Sequence, residues 1–184
     1  MKIYRLPFLI TLFSFTVLSA SELPLPRIGP ARDNVPEGWE GHRAPHLERI
    51  QGVHKVVEQG GRPHLHLEKL RFDSVMQVKT STPYTSNASR VTLAIRHRIP
   101  EIDLPAENPG RNRFRVGVVF YNAAGEKIAD ATPQLAYGTA QHEWTTSTIT
   151  YDVPEGTTRI EVSFNLLNCV GIWEIQGVRL LPAS

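Results

Sequence analysis

With one cysteine, Cys169, in 184 residues, the chain can build neither a disulfide framework nor a multi-cysteine metal cluster. A dominant charge is missing too: 20 Lys and Arg face 18 Asp and Glu, so nothing drives the protein toward nucleic acid or an anionic membrane, and neither partner is expected. Long apolar runs are absent, since the most hydrophobic stretch, Leu6 to Leu18, offers about 13 residues against the ~20 of a bilayer-spanning helix. Beyond it, no twelve-residue window carries the stripe of an amphipathic helix. Gly (13) and Pro (14) occur in ordinary numbers, which excludes collagen and wholesale disorder. No repeat of 20 to 50 residues suggests a propeller or solenoid, and the length suits one domain, not a multidomain enzyme. No nucleophile elbow, phosphate loop or His-Glu-x-x-His run occurs, so catalysis is disfavoured.

What is present begins with an export signal. Lys2 and Arg5 precede the apolar run and the small residues Ser19 and Ala20 close it, which predicts cleavage after Ala20 and a secreted or periplasmic protein. Losing residues 1–20 removes two cations and no acid, leaving a formally neutral chain with no cysteine at the cleavage site to carry a lipid. Residues 21–45 hold Pro24, Pro26, Pro30, Pro36 and Pro45 and follow neither period 2 nor period 3.6, so they read as an extended leader lying along a domain of residues 46–184.

In that domain apolar residues recur at every second position: Val91, Leu93, Ile95; Phe114, Val116, Val118, Phe120; Ile160, Val162, Phe164, Leu166. Each set is a half-buried strand. Nine strands are expected, near 51–57, 62–69, 73–80, 90–98, 113–121, 126–131, 144–152, 158–168 and 171–181. Gln59-Gly60-Gly61, Asn122-Ala123-Ala124-Gly125 and Pro154-Glu155-Gly156 supply the residues tight turns need. The fold class is therefore all-β, an antiparallel β-sandwich of jelly-roll type. Cys169, with no basic neighbour in sequence, reads as a small buried hydrophobe.

Three segments then carry a family resemblance: Pro36-Glu37-Gly38-Trp39, Arg62-Pro63-His64-Leu65-His66-Leu67, and a C-terminal stretch. The last comprises His142-Glu143-Trp144-Thr145-Thr146, Val153-Pro154-Glu155-Gly156 and the run from Gly171 to Leu180, including Trp173-Glu174-Ile175-Gln176. Over roughly residues 35–182 these resemble galactose-binding-like jelly rolls, including carbohydrate-binding modules of secreted glycoside hydrolases. The resemblance implies a carbohydrate partner. Such jelly rolls also serve as structural or protein-interaction modules, and a small polysaccharide-degrading enzyme is a third reading. Members with a structural calcium ion often carry an Asp in the last strand, where this chain has Gln176. Glu174 and Asp33 fall short of the six to eight oxygens calcium takes, so calcium is disfavoured and no cofactor is expected.

A sugar site needs flat apolar rings for the C–H face of a pyranose and planar polar groups for its hydroxyls. The candidate ligand contacts are Tyr84 and Tyr137, as loop aromatics, then Trp39 in a turn-rich entry and Tyr121 at a strand end. Trp39 and Trp144 also match structural positions of the pattern, and Trp173 shares the core phase of Ile175. Arg96 and Arg98 on one strand, with Arg113 and Arg115 on another, would form one patch for an acidic polysaccharide if the strands were neighbours. Otherwise they are solvated strand faces. His64 and His66 share a strand face, with His54 on an adjacent strand, but no carboxylate or cysteine stands at a known spacing, so no metal site is expected. Glu143, Glu161 and Glu174 are the carboxylates a glycosidase pair would draw on.

Overall fold

A computed structural model describes residues 22–29, 31–32, 35–43, 52–59, 61–72, 75–106 and 113–183. In chain order the strands are β1 (Ala31–Arg32), β2 (Val35–Pro36), β3 (Trp39–Arg43), β4 (Gly52–Gln59), β5 (Arg62–Lys69), β6 (Val75–Pro83), β7 (Arg90–Asp103), β8 (Arg113–Tyr121), β9 (Lys127–Asp130), β10 (Leu135–Tyr137), β11 (Gln141–Asp152), β12 (Arg159–Leu167) and β13 (Val170–Ala183). A five-stranded sheet runs β11-β7-β13-β5-β4, and a six-stranded sheet runs β10-β8-β12-β6-β3 with β9 beside β8; every pairing is antiparallel. Among the described residues the short β1 and β2 pair only with each other. The chain is an all-β, antiparallel sandwich of jelly-roll type, as the period-2 pattern predicts.

The alternating sets meet between the sheets. Phe114, Val116, Val118 and Phe120 of β8 face Leu93, Ile95 and Ile99 of β7 across a core in which all seven are buried. Trp173 lies at the centre, stacked on Phe114 (centroids 5.5 Å apart, planes 13°) and edge-on to Phe164 (5.3 Å). Truncating a ring of this kind to Ala costs about 3–5 kcal/mol. Three of the polar side chains buried here are individually answered. Trp173 Nε1 donates to His97 Nδ1 (3.2 Å), the opposite ring nitrogen of His97 meets Ser147 Oγ (2.9 Å), and Lys69 Nζ donates to the Leu166 carbonyl (3.1 Å). Burial pushes the Cys169 thiol up to about 11, so it packs as an inert small side chain.

Four strands lie where sequence shows none: the two-residue β1 and β2 of the leader, and two longer ones. Residues 39–43, read as part of the extended leader, form β3 at the edge of the six-stranded sheet, with Trp39 opposite Thr80. Residues 135–137, inside the connection expected from 132 to 143, form β10 beside β8. Strands of five and three residues hold too few alternations for a period to register. The preceding segment lies against the sandwich: Leu23 N donates to the Leu180 carbonyl (2.9 Å), and Leu23 and Ile28 are buried. At the β8–β9 turn, Gly125 adopts φ +79° while its N–H donates to the Asn122 carbonyl (3.0 Å), a conformation glycine takes without penalty. The export signal proposed for residues 1–20 lies outside the described residues, and among those described no helix is long and apolar enough to cross a membrane.

Candidate functional site

The inward-facing sets decide what each sheet shows to solvent. On β7, Leu93, Ile95, His97 and Ile99 point into the core, which turns Arg96 and Arg98 outward. On β5, Leu65 and Leu67 point in, so His64, His66 and Glu68 point out. On β13, Trp173 and Ile175 point in, so Glu174 and Gln176 point out; an extra residue between Ile175 and Gly177 then shifts the phase, so that Leu180 points in and Arg179 joins the outer side. Glu174 is directly opposite Arg98 on one flank and His66 on the other, which sets three polar side chains abreast across β7, β13 and β5.

Those three are bonded. Arg98 Nε donates to Glu174 Oε2, and His66 Nδ1 lies 3.1 Å from Glu174 Oε1. His64 Nε2 approaches the same Oε1 at 3.5 Å, while His66 Nε2 lies 3.4 Å from Glu68 Oε2. Burial by itself would raise the Glu174 pKa; the hydrogen bonds from Arg98 and His66 and the charges of Arg98 and His64 outweigh it and hold the carboxyl below its ordinary value. Trp144 roofs one end. It projects from β11 where the register with β7 slips between Gln141 and Thr145, and its half-buried indole lies edge-on to His64 (5.6 Å) with the Arg98 guanidinium 5.0 Å from its centroid.

Beside this row is a groove of about 520 Å³ on the same sheet face. Arg62, Arg96, Thr146, Gln176 and Arg179 line it, and Pro26, Arg27 and Ile28 of the N-terminal segment form one wall. Arg96 Nε donates to Gln176 Oε1 (2.8 Å), which holds both planar groups side by side. Among the described residues, exposed Arg62 and Arg179 have no carboxylate partner. The outer face of the six-stranded sheet differs. Its pocket of about 200 Å³ is closed by its own ion pairs, with Lys79 Nζ at 3.2 Å from Glu161 and 3.5 Å from Glu40.

The residues singled out from sequence are therefore dispersed. Arg96 and Arg98 lie on the five-stranded face, but Arg113 and Arg115 project from the six-stranded sheet, because β7 and β8 belong to different layers. The single four-arginine patch does not form. Tyr137 is no loop aromatic: it ends β10, is 8% exposed, and packs on His97 (4.6 Å) and Trp173 (5.6 Å). Trp39 is 5% exposed, stacked near Phe164 (6.0 Å), with Nε1 donating to the Pro26 carbonyl (3.2 Å). Tyr84 leans on the core and its hydroxyl donates to the Ala88 carbonyl, closing its own loop. Tyr121 lies on the six-stranded face under the Arg159 guanidinium (3.8 Å). Glu161 is on that face too, opposite the side of Glu174. The side chains of Asp33 and His54 lie outside the described residues. Four contributors went unchosen: Arg62; Gln176; Arg179, turned outward by a bulge; and Trp144, brought onto the face by a register slip with no sequence signature.

No protein-family model and no curated protein sequence matches the chain. Solved structures match its fold. The family 11 carbohydrate-binding module of cellulosomal cellulase Lic26A-Cel5E of Clostridium thermocellum gives a TM-score of 0.57 at 13% identity over 90% of this chain and 96% of that one. A Clostridium thermocellum family 11 module in complex with a β-1,3-1,4-mixed-linked tetrasaccharide gives 0.54 at 12% identity, covering 90% and 98%. The enzymatically active domain of tailspike protein 4 of bacteriophage CBA120 gives 0.60 at 12% identity over 80% of this chain, which spans a fifth (20%) of the tailspike chain. The class is thus the β-sandwich fold that carbohydrate-binding modules share.

Proposed function

We propose that the protein is an exported, non-catalytic carbohydrate-binding module that holds an oligo- or polysaccharide on the outer face of its five-stranded sheet. The observation that carries this reading is the groove in which Arg62, Arg96, Gln176 and Arg179 converge, with the half-buried indole of Trp144 beside it. Guanidinium and amide planes match vicinal hydroxyls, and an indole accepts the apolar face of a sugar ring. Four arginines lining one groove, Arg27, Arg62, Arg96 and Arg179, favour a chain bearing carboxylates or sulfates, because each guanidinium offers paired donors to such an anion. Catalysis fits poorly. Glycoside cleavage needs two carboxyl groups flanking one bond, whereas Glu174 is bonded to Arg98 and His66 and Glu161 belongs to the opposite sheet. Export rests on the charged, apolar and small-residue pattern of residues 1–20.

The test is titration calorimetry of residues 21–184 with mixed-linked β-glucan oligosaccharides and with oligouronides at low and moderate salt. Binding is expected to favour the oligouronide, to weaken as salt rises, and to fall by about tenfold or more in Arg96→Ala, the loss expected from one desolvated charge-assisted bond. Trp144→Ala should cost a similar factor toward both ligand classes. Silence toward both panels, or binding unchanged in both variants, overturns the reading.

A further inference from the structure

We propose that His64, His66 and Glu174 form a binding site for a divalent cation of the zinc class on the five-stranded face. The inference does not depend on the sugar-binding reading. One ligand atom from each residue can be chosen so that all three lie within 4.8 Å of one another. In a tetrahedral site with metal–ligand bonds of 2.0–2.1 Å, ligand atoms stand about 3.3–3.4 Å apart. His66 Nδ1 and His64 Nε2 stand 3.1 and 3.5 Å from Glu174 Oε1, on either side of that spacing.

Three further observations point to a metal in place of a simple ion-pair network. His64 is 1% exposed and its Nε2, aimed at Glu174, has no hydrogen-bond partner, although buried polar atoms are nearly always satisfied. A cation would supply the missing contact. Next, His66 turns its other nitrogen, Nε2, toward Glu68 Oε2 (3.4 Å), the arrangement in which a carboxylate orients a metal-binding imidazole through its free N–H. Finally, Glu174 divides its oxygens, with Oε2 taking the Arg98 hydrogen bond and Oε1 facing both imidazoles, so one oxygen is anchored and the other left to coordinate. Two nitrogens and one carboxylate oxygen suit zinc and its neighbours, whereas calcium and magnesium select oxygen donors. Three protein ligands leave the fourth position to water or a ligand oxygen.

The elements explain why sequence spacing concealed the site. His64 and His66 are neighbours on one face of β5, but the carboxylate comes from β13, 108 residues beyond His66, and reaches it through strand pairing.

The experiment strips residues 21–184 of metal with a chelator and titrates the folded protein with Zn²⁺ by calorimetry, with Ca²⁺ and Mg²⁺ as controls. One Zn²⁺ per chain is expected, with no comparable heat from the controls. His66→Gln and Glu174→Gln should abolish uptake, while Glu68→Gln, a positioning change, should weaken it by about 10–100-fold. X-ray absorption on the unaltered protein supplies a readout that needs no variant: a shell of nitrogen and oxygen at about 2.0–2.1 Å without sulfur. Absence of Zn²⁺ binding by folded wild type, a sulfur shell, or unchanged affinity in His66→Gln and Glu174→Gln overturns the proposal. Glycan binding that persists after chelation would leave the sugar-binding reading intact when the metal site alone fails.

Discussion

His97 shows how much one side chain can tie to solution conditions. It is fully buried between Trp173 and Tyr137, and desolvation pulls its pKa from 6.5 to about 4. Between those values the unfolded chain binds a proton that the folded protein refuses, so stability is complete above about pH 6.5 and falls as the pH drops toward 4. The loss should be about 3 kcal/mol. The charges nearest in kind do not mask it: burial raises the Tyr137 hydroxyl away from this window, and Glu174, held below the ordinary carboxylate value, adds a loss only at lower pH. His97→Gln keeps an acceptor for Trp173 Nε1 and a donor for Ser147. Urea unfolding of this variant should show a lower midpoint at pH 7 and a flatter decline between pH 6.5 and 4.5. An equally steep decline in both proteins would place the titrating group elsewhere. Sequence offered little warning, since His97 occupies an inward position of β7 between two outward arginines, and alternation alone does not say whether a histidine there finds partners. Tyr137 misled for the opposite reason. It lay in what read as a loop, where an aromatic ring looks free, but a three-residue strand carries it into the core.

At the scale of elements, alternation located the long strands because each buries one face, and a half-buried strand must alternate. β8 and β12 kept their expected phases throughout, with Phe114, Val116, Val118 and Phe120 against Ile160, Val162, Phe164 and Leu166. The irregularities that build the site are invisible to such a pattern. A bulge adds a residue on one strand without changing composition, so neither the outward turn of Arg179 nor the reach of Trp144 could be read in advance. One irregularity does have a residue signature. Gly171, at the start of β13, has φ +133°, and a Cβ there would run into the carbonyl of Glu101 on β7. Gly171→Ala therefore has to separate the two strands that hold Glu174 opposite Arg98. We expect a loss of about 2–4 kcal/mol, from the disfavoured dihedral and the displaced backbone together. Thermal unfolding checks it: a midpoint within a degree of wild type would show that β7 yields freely at this point. Gly125→Ala, in an open turn at φ +79° with nothing within 4 Å of the added carbon, isolates the dihedral contribution and should cost less.

Over the whole molecule, the two outer faces divide into one that satisfies itself and one that does not. The six-stranded face pairs Lys79 with Glu161 and Glu40 and stacks Arg159 on Tyr121, whereas the five-stranded face leaves arginines lining a groove. That groove is only partly a property of the sheet. Pro26, Arg27 and Ile28 form one side of it, and their position depends on Leu23, which is 4% exposed and bridges Leu180 at the N-terminal start of the segment. The Pro26 carbonyl also accepts the Trp39 indole N–H, and the Thr82 hydroxyl donates to the Pro24 carbonyl (3.3 Å), so the segment is fastened to β3, β6 and β13 at once. Replacing Leu23 by Ser removes the apolar anchor while sparing every residue that lines the groove. We expect it to destabilise the protein by about 2–3 kcal/mol, the cost of a buried aliphatic side chain. Well below the melting temperature, where the sandwich stays folded, ligand affinity should also fall, because the wall must be ordered at the expense of binding energy. Equal affinity in Leu23→Ser and wild type would confine the binding surface to Arg62, Arg96, Gln176 and Arg179 on the sheet itself and leave the N-terminal segment a purely structural role.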